Sequence, residues 1–530
     1  MAKFNRAGVA PVGASLKKTT TTHEGAKSFE KGYAMELYQA VVTTLFGEGK
    51  FYENSDERGK RLTRLVNRCV ENDEAEFVAK LAIYARERMH LRSVPLFLVV
   101  TLANSLRQVD GAEYSDLRTT VTRVIQRADE LREMFAAAEA IFGDPANNKK
   151  FKRVVPRALL KGIGDAFNKF DAYQLKKYSG GKGAVKFTDV MRVAHPVPMN
   201  AEKSELFAQV MNGTLPAIET WETKISGGGS TQENWQVIAD SPKTGYMAKL
   251  RNLRNFTKND VDMSNVINHL TNPVAVANSK QLPFRFYTAY RELGGETTKR
   301  GGYGWGYNHG YDESEKVTGS PEILAALEDA FDLAVANLPD LGDDVLVIAD
   351  QSGSMWSPIS DRGTVMCTEI AAVLAAAVWY NQIQLGKKAM VAGFACRGKV
   401  YNWSKRTSAL SAAKSMMNTD LGGSTQIHTA WEAAKKANLK PSTIIVLSDM
   451  QMTGGRGGYY SHDKIMNPEN YGLAGKNTLR ISVDLQGYNN TPFAVNNGWY
   501  QLGGWSEKLF DFVEAMRSPG DAVKLIREYE

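Results

Sequence analysis

The stretch Val345-Leu346-Val347-Ile348-Ala349-Asp350-Gln351-Ser352-Gly353-Ser354-Met355 decides the fold of the C-terminal third. Its β-branched run reads as a short buried strand, and the polar residues behind it read as the turn at the carboxyl end. Alternate residues of an extended turn point to one side, so Asp350, Ser352 and Ser354 can offer three oxygens to one hard cation. Working outward, further strands are predicted over 389–395, 443–447 and 479–485, with helices over 364–380, 427–437 and 507–516. Strands alternating with helices imply a parallel, doubly wound sheet whose ligand crevice lies at the carboxyl ends of the strands. Leu421-Gly422-Gly423-Ser424-Thr425 precedes one of those helices and can add a fourth hydroxyl, from Ser424 or Thr425. The strand ending Val446-Leu447-Ser448 delivers Asp449 to the same edge. Two carboxylates and three hydroxyls, with water completing an octahedron, suit Mg²⁺ better than zinc or copper.

Before residue 340 the pattern is different. Phe77, Leu81, Ala82, Ala85 and Met89 share a helical face, as do Leu117, Val121, Val124, Ile125 and Ala128. Similar stretches begin near Glu57, Pro95, Asp129, Pro156, Ser204, Gly245, Val261 and Leu282, most ending at Gly, Asn, Asp or Pro. Two such helices with their turns take about 40 residues, the repeat of HEAT-type pairs, so a helical solenoid is favoured over an irregular bundle of the same pattern. The predicted organisation is an N-terminal arm over 1–25, a helical repeat region over 26–340 and an α/β domain over 341–530. The arm is rich in Thr, Ala, Gly and Lys without apolar period, so it is expected to be loosely held. Residues 300–311 interleave glycines with Tyr303, Trp305, Tyr307 and Tyr311 and read as a surface loop, either stacking on bases or packed on its own domain.

Composition excludes several classes. An apolar fraction of 43% is enough for a sizeable core, which argues against wholesale disorder. The three cysteines, Cys69, Cys367 and Cys396, are far apart and in no CxxC or Cys/His cluster, against a disulfide scaffold or zinc site. No apolar run approaches the roughly 20 residues of a membrane span, and no signal-peptide stretch opens the chain; a cytoplasmic protein is expected. Charge is concentrated: residues 149–200 carry 12 Lys and Arg against 3 Asp and Glu, an excess above the +7 of the whole chain. A polyanion would bind there first, unless acidic neighbours in space balance the face.

The C-terminal fragments, in this order and each at a strand end, resemble the metal-ion-dependent adhesion site of von Willebrand factor A domains. Ile427 and Ala430 align with the usual helix start of that family when Ser424 is an extra residue, which makes Thr425 the fourth hydroxyl ligand beside Asp350, Ser352, Ser354 and Asp449. One Mg²⁺ is implied, with an open coordination position used for binding. No His, Glu or Lys stands as an evident general base, so no catalytic residue is predicted.

The helical part resembles the TROVE module of telomerase-associated, Ro and vault proteins. Its marks are Leu81-Ala82-Ile83-Tyr84-Ala85-Arg86 with Met89-His90-Leu91-Arg92-Ser93-Val94-Pro95, the stretch from Asn168 to Tyr178, Asp189-Val190-Met191-Arg192-Val193-Ala194-His195-Pro196, the run from Tyr246 to Asn255, and Gln281 to Tyr287. Together with the adhesion-type domain these cover nearly the whole chain, which is similar to Ro members of bacterial or phage type. The resemblance implies a ring of HEAT-like repeats closed by the von Willebrand factor A domain, an RNA-binding scaffold of RNA quality control without a catalytic centre. It implies Y-like small RNAs on the outer surface and single-stranded 3′ ends of misfolded RNAs in the cavity, with polynucleotide phosphorylase tethered through the RNA. Neither DNA nor a membrane is an expected partner.

Position by position, the resemblance places Lys177, beside Tyr178, and His195 on family RNA contacts. A further contact falls at Gly181 or Lys182, and Lys182 is preferred. The basic segment adds Lys149, Lys150, Lys152, Arg153, Lys186 and Arg192 as candidates. Arg251 and Arg254 are expected to serve ion pairs between repeats. Gly227-Gly228-Gly229-Ser230 reads as a flexible connection, and 454–460 as a Gly-rich insertion beside Asp449. The alternative reading is an Mg²⁺-dependent protein-interaction adaptor that binds no RNA.

Overall fold

The computed structural model describes residues 20–21, 27–28, 33–43, 55–143, 154–180, 185–218, 229–294, 317–359, 365–452, 466–486, 492–493, 499–504, 508–517 and 521–530, with 223, 225 and 227. Two compact units emerge. One comprises 1–18, 30–218 and 518–530, the other 19–29 and 219–517. The second unit therefore takes in helices well before residue 340, where the sequence pattern changes.

The first unit is helical: α1 (Tyr33–Thr43), α2 (Ser55–Glu71), α3 (Ala75–Glu87), α4 (Ser93–Gln108), α5 (Leu117–Val124), α6 (Ala128–Phe142), α7 (Arg157–Ala166), α8 (Ala172–Ser179), α9 (Phe187–Ala194) and α10 (Ala201–Asn212). Successive helices pack pairwise, α3 on α4 and α5, α5 on α7, α9 on α10, while α6 touches α7, α8 and α9. Phe77, Leu81, Ala82 and Ala85 are buried as the 3.6-residue period requires.

The face shared by Leu117 to Ala128 is not one helix. The helix stops at Val124, Ile125 is extended, and a new helix begins at Ala128. The cause is tertiary. The buried carboxylate of Glu130 accepts both Arg86 Nη2 at 2.8 and 3.0 Å and the backbone N–H groups of Gln126 and Arg127 at 2.9 and 3.0 Å. Arg86 Nε donates to the Val124 carbonyl at 3.1 Å, and Lys169 Nζ donates to those of Thr122 and Ile125. Orphan backbone groups at a helix break need such partners, and here a buried ion pair supplies them. The C-terminal residues complete this unit: Arg527 pairs with Glu74, and the Tyr529 ring meets Tyr84 edge-on at 5.2 Å.

In the second unit two short strands, β1 (Thr20–Thr21) and β2 (Lys27–Ser28), pair antiparallel. Of the expected arm only Thr20–Thr21 are described, paired with Lys27–Ser28; the remainder of 1–25 lies outside the described residues. The helices described in full after these strands are α11 (Gln232–Asp240), α12 (Tyr246–Arg251), α13 (Leu253–Lys258), α14 (Ser264–Leu270), α15 (Pro273–Ser279), α16 (Pro283–Gly294) and α17 (Pro321–Val335). Gly229 and Ser230, read as a flexible link, bond to α11: Asn234 Nδ2 donates to the Gly229 carbonyl at 3.0 Å and Trp235 Nε1 to Ser230 Oγ at 2.7 Å.

A six-stranded sheet then forms from β3 (Asp344–Asp350), β4 (Lys388–Phe394), β5 (Gly398–Tyr401), β6 (Thr443–Ser448), β7 (Leu479–Asp484) and β8 (Trp499–Gly503), in the order β5-β4-β3-β6-β7-β8. All pairs are parallel except β4 with β5, so the sheet is mixed at one edge. β5 and β8 are short strands that the apolar runs did not reveal. The sheet's helices are α18 (Cys367–Gln384), α19 (Ala409–Met417), α20 (His428–Lys435) and α21 (Leu509–Arg517). Leu346, Ile348, Ala392, Phe394, Ile444 and Val446 share a core with Ala430, Trp431 and Ala434 of α20. Strand side chains alternate, so α18, which packs on β3, β4 and β6, takes the other face. The sheet is doubly wound.

Polar burial explains why α16 and α17 group with the sheet. Glu369 at the start of α18 is 1% exposed, and its carboxylate accepts the Tyr287 hydroxyl at 2.6 Å and pairs with Arg291 at 3.0 Å, both from α16. Glu328 and Asp332 of α17 accept from Ser411 Oγ and from the Ala409 N–H at the start of α19. The Glu369 carboxylate would be costly to bury without its partners from upstream of residue 340, and Glu328 and Asp332 reach from upstream of that point to the start of α19. Among the described residues no helix is long and apolar enough to cross a membrane.

Candidate metal centre and nucleic-acid interface

The metal candidates gather at the carboxyl edge of the sheet. Register places Ala349 of β3 beside Leu447 of β6, so Asp350 and Ser448 end neighbouring strands. Asp350 is fully buried; its carboxylate accepts the Ser352 N–H at 2.8 Å through one oxygen and the Ser448 hydroxyl at 2.6 Å through the other. Ser352 is buried and its hydroxyl lies 3.3 Å from that of Ser354, which is exposed in the short 3-10 turn Gly353–Trp356. Asp449 is 1% exposed and accepts the Gln451 N–H at 3.1 Å.

The loop carrying Thr425 is pinned to this edge. Gly353 N–H donates to the Gly423 carbonyl at 3.1 Å, Cys396 N–H to that of Leu421 at 2.9 Å, and Gln426 N–H to that of Ala395 at 3.1 Å. Gly422 has φ of 93°, and a Cβ there would lie 2.5 Å from Cys396 Sγ, so the loop demands glycine. Within it Ser424 sends its hydroxyl to Cys396 Sγ at 3.1 Å, whereas Thr425 is buried. That arrangement favours Thr425 over Ser424 as the hydroxyl available to a cation.

Burial, and then the nearby Asp449 carboxylate, raise the Asp350 carboxyl above its ordinary range, against hydrogen bonds from Ser448 and Ser352 that lower it. Among the described residues no basic side chain is among the main groups acting on it. Two buried carboxylates that repel each other, ringed by hydroxyls, fit a hard divalent cation, which would supply the missing positive charge. Among the described residues no group of three or more His, Cys, Asp and Glu is placed to hold a metal, so soft or nitrogen-rich ligation is not offered. Ser448 was missed as a site residue, although its place before Asp449 at a strand end was a usable signal.

The RNA candidates divide. Lys182, Lys149, Lys150, Lys152 and Arg153 lie outside the described residues. Lys177, Lys186, Arg192 and His195 are exposed on or beside α8 and α9, which both pack on α6. Local chemistry sets these helices. Asp171 caps α8 by accepting the Gln174 N–H at 2.7 Å while Gln174 Oε1 accepts that of Asp171 at 3.0 Å. Asp189 accepts the Lys186 N–H at 3.0 Å, and His195 ends α9 in the left-handed region at φ 49°. Lys177 Nζ lies 5.8 Å from the Tyr178 ring centroid. The Tyr178 hydroxyl in turn accepts Arg127 Nη2 at 2.5 Å, a residue without any signal in the sequence. Arg192 pairs with Asp189 at 3.7 Å on the surface, a contact worth little. Arg254 pairs with Glu292 at 3.8 Å. The Gly/aromatic stretch 300–311 and the insertion 454–460 lie outside the described residues. A cavity of about 760 Å³, lined by Glu76, Glu113, Asp116, Arg123 and Tyr529 among others, contains none of the candidate residues.

Fold and site define a helical-repeat protein carrying a von Willebrand factor A-like α/β sheet. The chain belongs to the TROVE domain family, which matches residues 30–215 and 212–300. It is 35% identical over 78 residues to telomerase protein component 1 of Rattus norvegicus, and equally to that of Mus musculus. That alignment covers 14% of this chain and only 3% of either relative. Its fold is that of the crystal structure of the Ro (Rsr) protein of Deinococcus radiodurans, with a TM-score of 0.61 at 18% identity over 91% of this chain and 99% of that one.

Proposed function

We propose that this chain is a non-catalytic RNA-binding scaffold of a Ro-type ribonucleoprotein. The observation that carries the reading is the solvent-exposed group of Lys177, Lys186 and Arg192 with His195 beside them, set by capped helices inside the segment that matches the TROVE family. Its ligand is a structured small RNA of the Y type, bound through phosphates with Lys182, Lys149, Lys150, Lys152 and Arg153 contributing. Single-stranded 3′ ends of misfolded RNAs bind the helical repeats at a second place, in RNA quality control in the cytoplasm. Polynucleotide phosphorylase joins through the RNA.

Asp350, Ser352, Ser354, Thr425 and Asp449 hold one Mg²⁺, which neutralises the buried carboxylates and serves binding. The buried carboxylate pair also favours a second reading, an Mg²⁺-dependent protein-interaction adaptor without RNA. Purification of the full chain from its host separates the two. A co-purifying small RNA, seen as a raised ratio of absorbance at 260 to 280 nm and identified by sequencing, supports the first. RNA-free protein that also fails to bind structured RNA at low salt overturns it.

A further inference from the structure

The cationic face carries an apolar feature that phosphate binding does not explain. Among the described residues seven large hydrophobic side chains are exposed, and three of them, Tyr173 at 49%, Val197 at 74% and Met199 at 69%, fall in the short stretch that holds Lys177 and His195. Singly exposed apolar residues are ordinary; such a concentration beside cations points to a ligand.

The feature is also held still. Asn168 Nδ2 donates to the Val197 carbonyl at 2.9 Å, and the Met199 N–H donates back to Asn168 Oδ1 at 2.9 Å. Lys203 Nζ ties the next helix to the Phe170 carbonyl at 2.7 Å. Gly164 of α7 admits this segment closely, since a Cβ there would stand 3.2 Å from the Ala194 carbonyl and 3.3 Å from Pro196 Cα. Pro196 and Pro198 fix their own φ, so Val197 and Met199 are presented with little entropy left to lose. The same turn, 167–171, runs directly into α8, where the Tyr173 ring lies 6.0 Å from Lys177 Nζ.

We infer that Tyr173, Val197 and Met199 form an apolar platform that takes unpaired bases of the RNA whose phosphates meet the neighbouring cations. The inference rests on the RNA-binding reading and names the part of the RNA recognised. Charge chooses the occupant: described residues between 168 and 203 include six Lys and Arg against three Asp and Glu, which suits phosphate. Pairing decides the rest. In an A-form stem the base faces are stacked away, and only unpaired nucleotides can lay a π-face on an aromatic or apolar side chain.

The test uses the full chain and two RNAs, a blunt stem and the same stem with a short single-stranded 5′ extension, which offers no free 3′ single strand to the second binding place, measured by fluorescence anisotropy over a salt series. Wild type should prefer the extended stem by roughly tenfold, the scale of one stacked base. Tyr173→Ala with Met199→Ala should lose that preference while keeping affinity and salt slope on the blunt stem, and Tyr173→Phe should retain it. Both positions are exposed, and unchanged melting verifies the fold. A double variant that keeps the preference, or that loses both RNAs equally, overturns the platform; the first result leaves a protein as occupant of the patch. Wild type binding both stems alike overturns the platform but leaves the RNA-binding scaffold standing. Wild type binding neither overturns both.

Discussion

The proposed metal centre and the proposed RNA-binding face are built in opposite ways. Asp350, Thr425 and Asp449 are scattered over a hundred residues and meet only because β3 and β6 run parallel in register and a glycine-bearing loop is pinned beside them. Lys177 and His195 lie within one contiguous stretch of capped helices and are exposed. A buried site thus depends on every element that shapes it, and its variants should act through affinity and stability together. An exposed site on locally specified helices should tolerate substitution and respond to salt.

The largest effect expected is on the scaffold beneath the exposed face. Glu130→Ala leaves the Arg86 guanidinium buried without its bidentate partner and frees the N–H groups of Gln126 and Arg127. A loss of about 3–5 kcal/mol should appear in chemical denaturation. A loss below about 1 kcal/mol would mean that the junction of α5 and α6 does not depend on this pair.

Next comes Asp350→Ala, which should abolish tight divalent binding in calorimetry. Wild type in Mg²⁺ at a hundred times its Kd should gain about 2.7 kcal/mol over metal-free protein, and the variant should gain nothing. RNA affinity should be unchanged, and a parallel loss of RNA binding would break the contrast between the two sites. The pH dependence has a definite sign. Because the Asp350 carboxyl is raised in the folded protein, metal-free stability from this group is greatest at low pH and falls as pH rises through its folded value. Metal binding needs the ionised form and should weaken as pH falls through the same region. Opposite pH trends of melting temperature in EDTA and in Mg²⁺, both flattened by Asp350→Asn, check this.

Ser448→Ala removes the hydroxyl that orients Asp350 and should weaken metal affinity about 10- to 100-fold, as loss of an outer-shell partner does. Thr425→Val should weaken it by at least about tenfold on the same scale, whereas Ser424→Ala should not, since Ser424 is turned to Cys396. The reverse ranking would reassign the fourth hydroxyl.

The smallest change is expected on the exposed face. Lys177→Ala with Lys182→Ala should reduce the log-log salt slope of RNA binding by roughly 1.5, at about 0.7 to 0.9 per phosphate contact. Lys435→Ala with Lys436→Ala, exposed at the end of α20, should leave the slope alone. Equal losses from the two pairs would make the binding a diffuse charge effect.

Much of this architecture was legible in residue order because its signals are local. The β-branched runs ending at Asp350 and Asp449, the 3.6-residue face of α3 and the charge between 149 and 200 need no long-range information to be seen. Tertiary structure alone decided the rest. Leu117 to Ala128 keeps a perfect helical period, yet the chain breaks at Ile125 because Arg86, Glu130 and Lys169 offer its backbone better partners than another turn of helix. The short edge strand β5 carries too few apolar residues to register in a pattern, and its pairing with β4 creates it. Ser424 and Thr425 are adjacent hydroxyls that composition cannot rank; the family resemblance favours Thr425, and the position of Cys396 supplies the physical reason by taking the Ser424 hydroxyl. A periodicity records which face a residue prefers; the partner waiting on that face is recorded nowhere but in the fold.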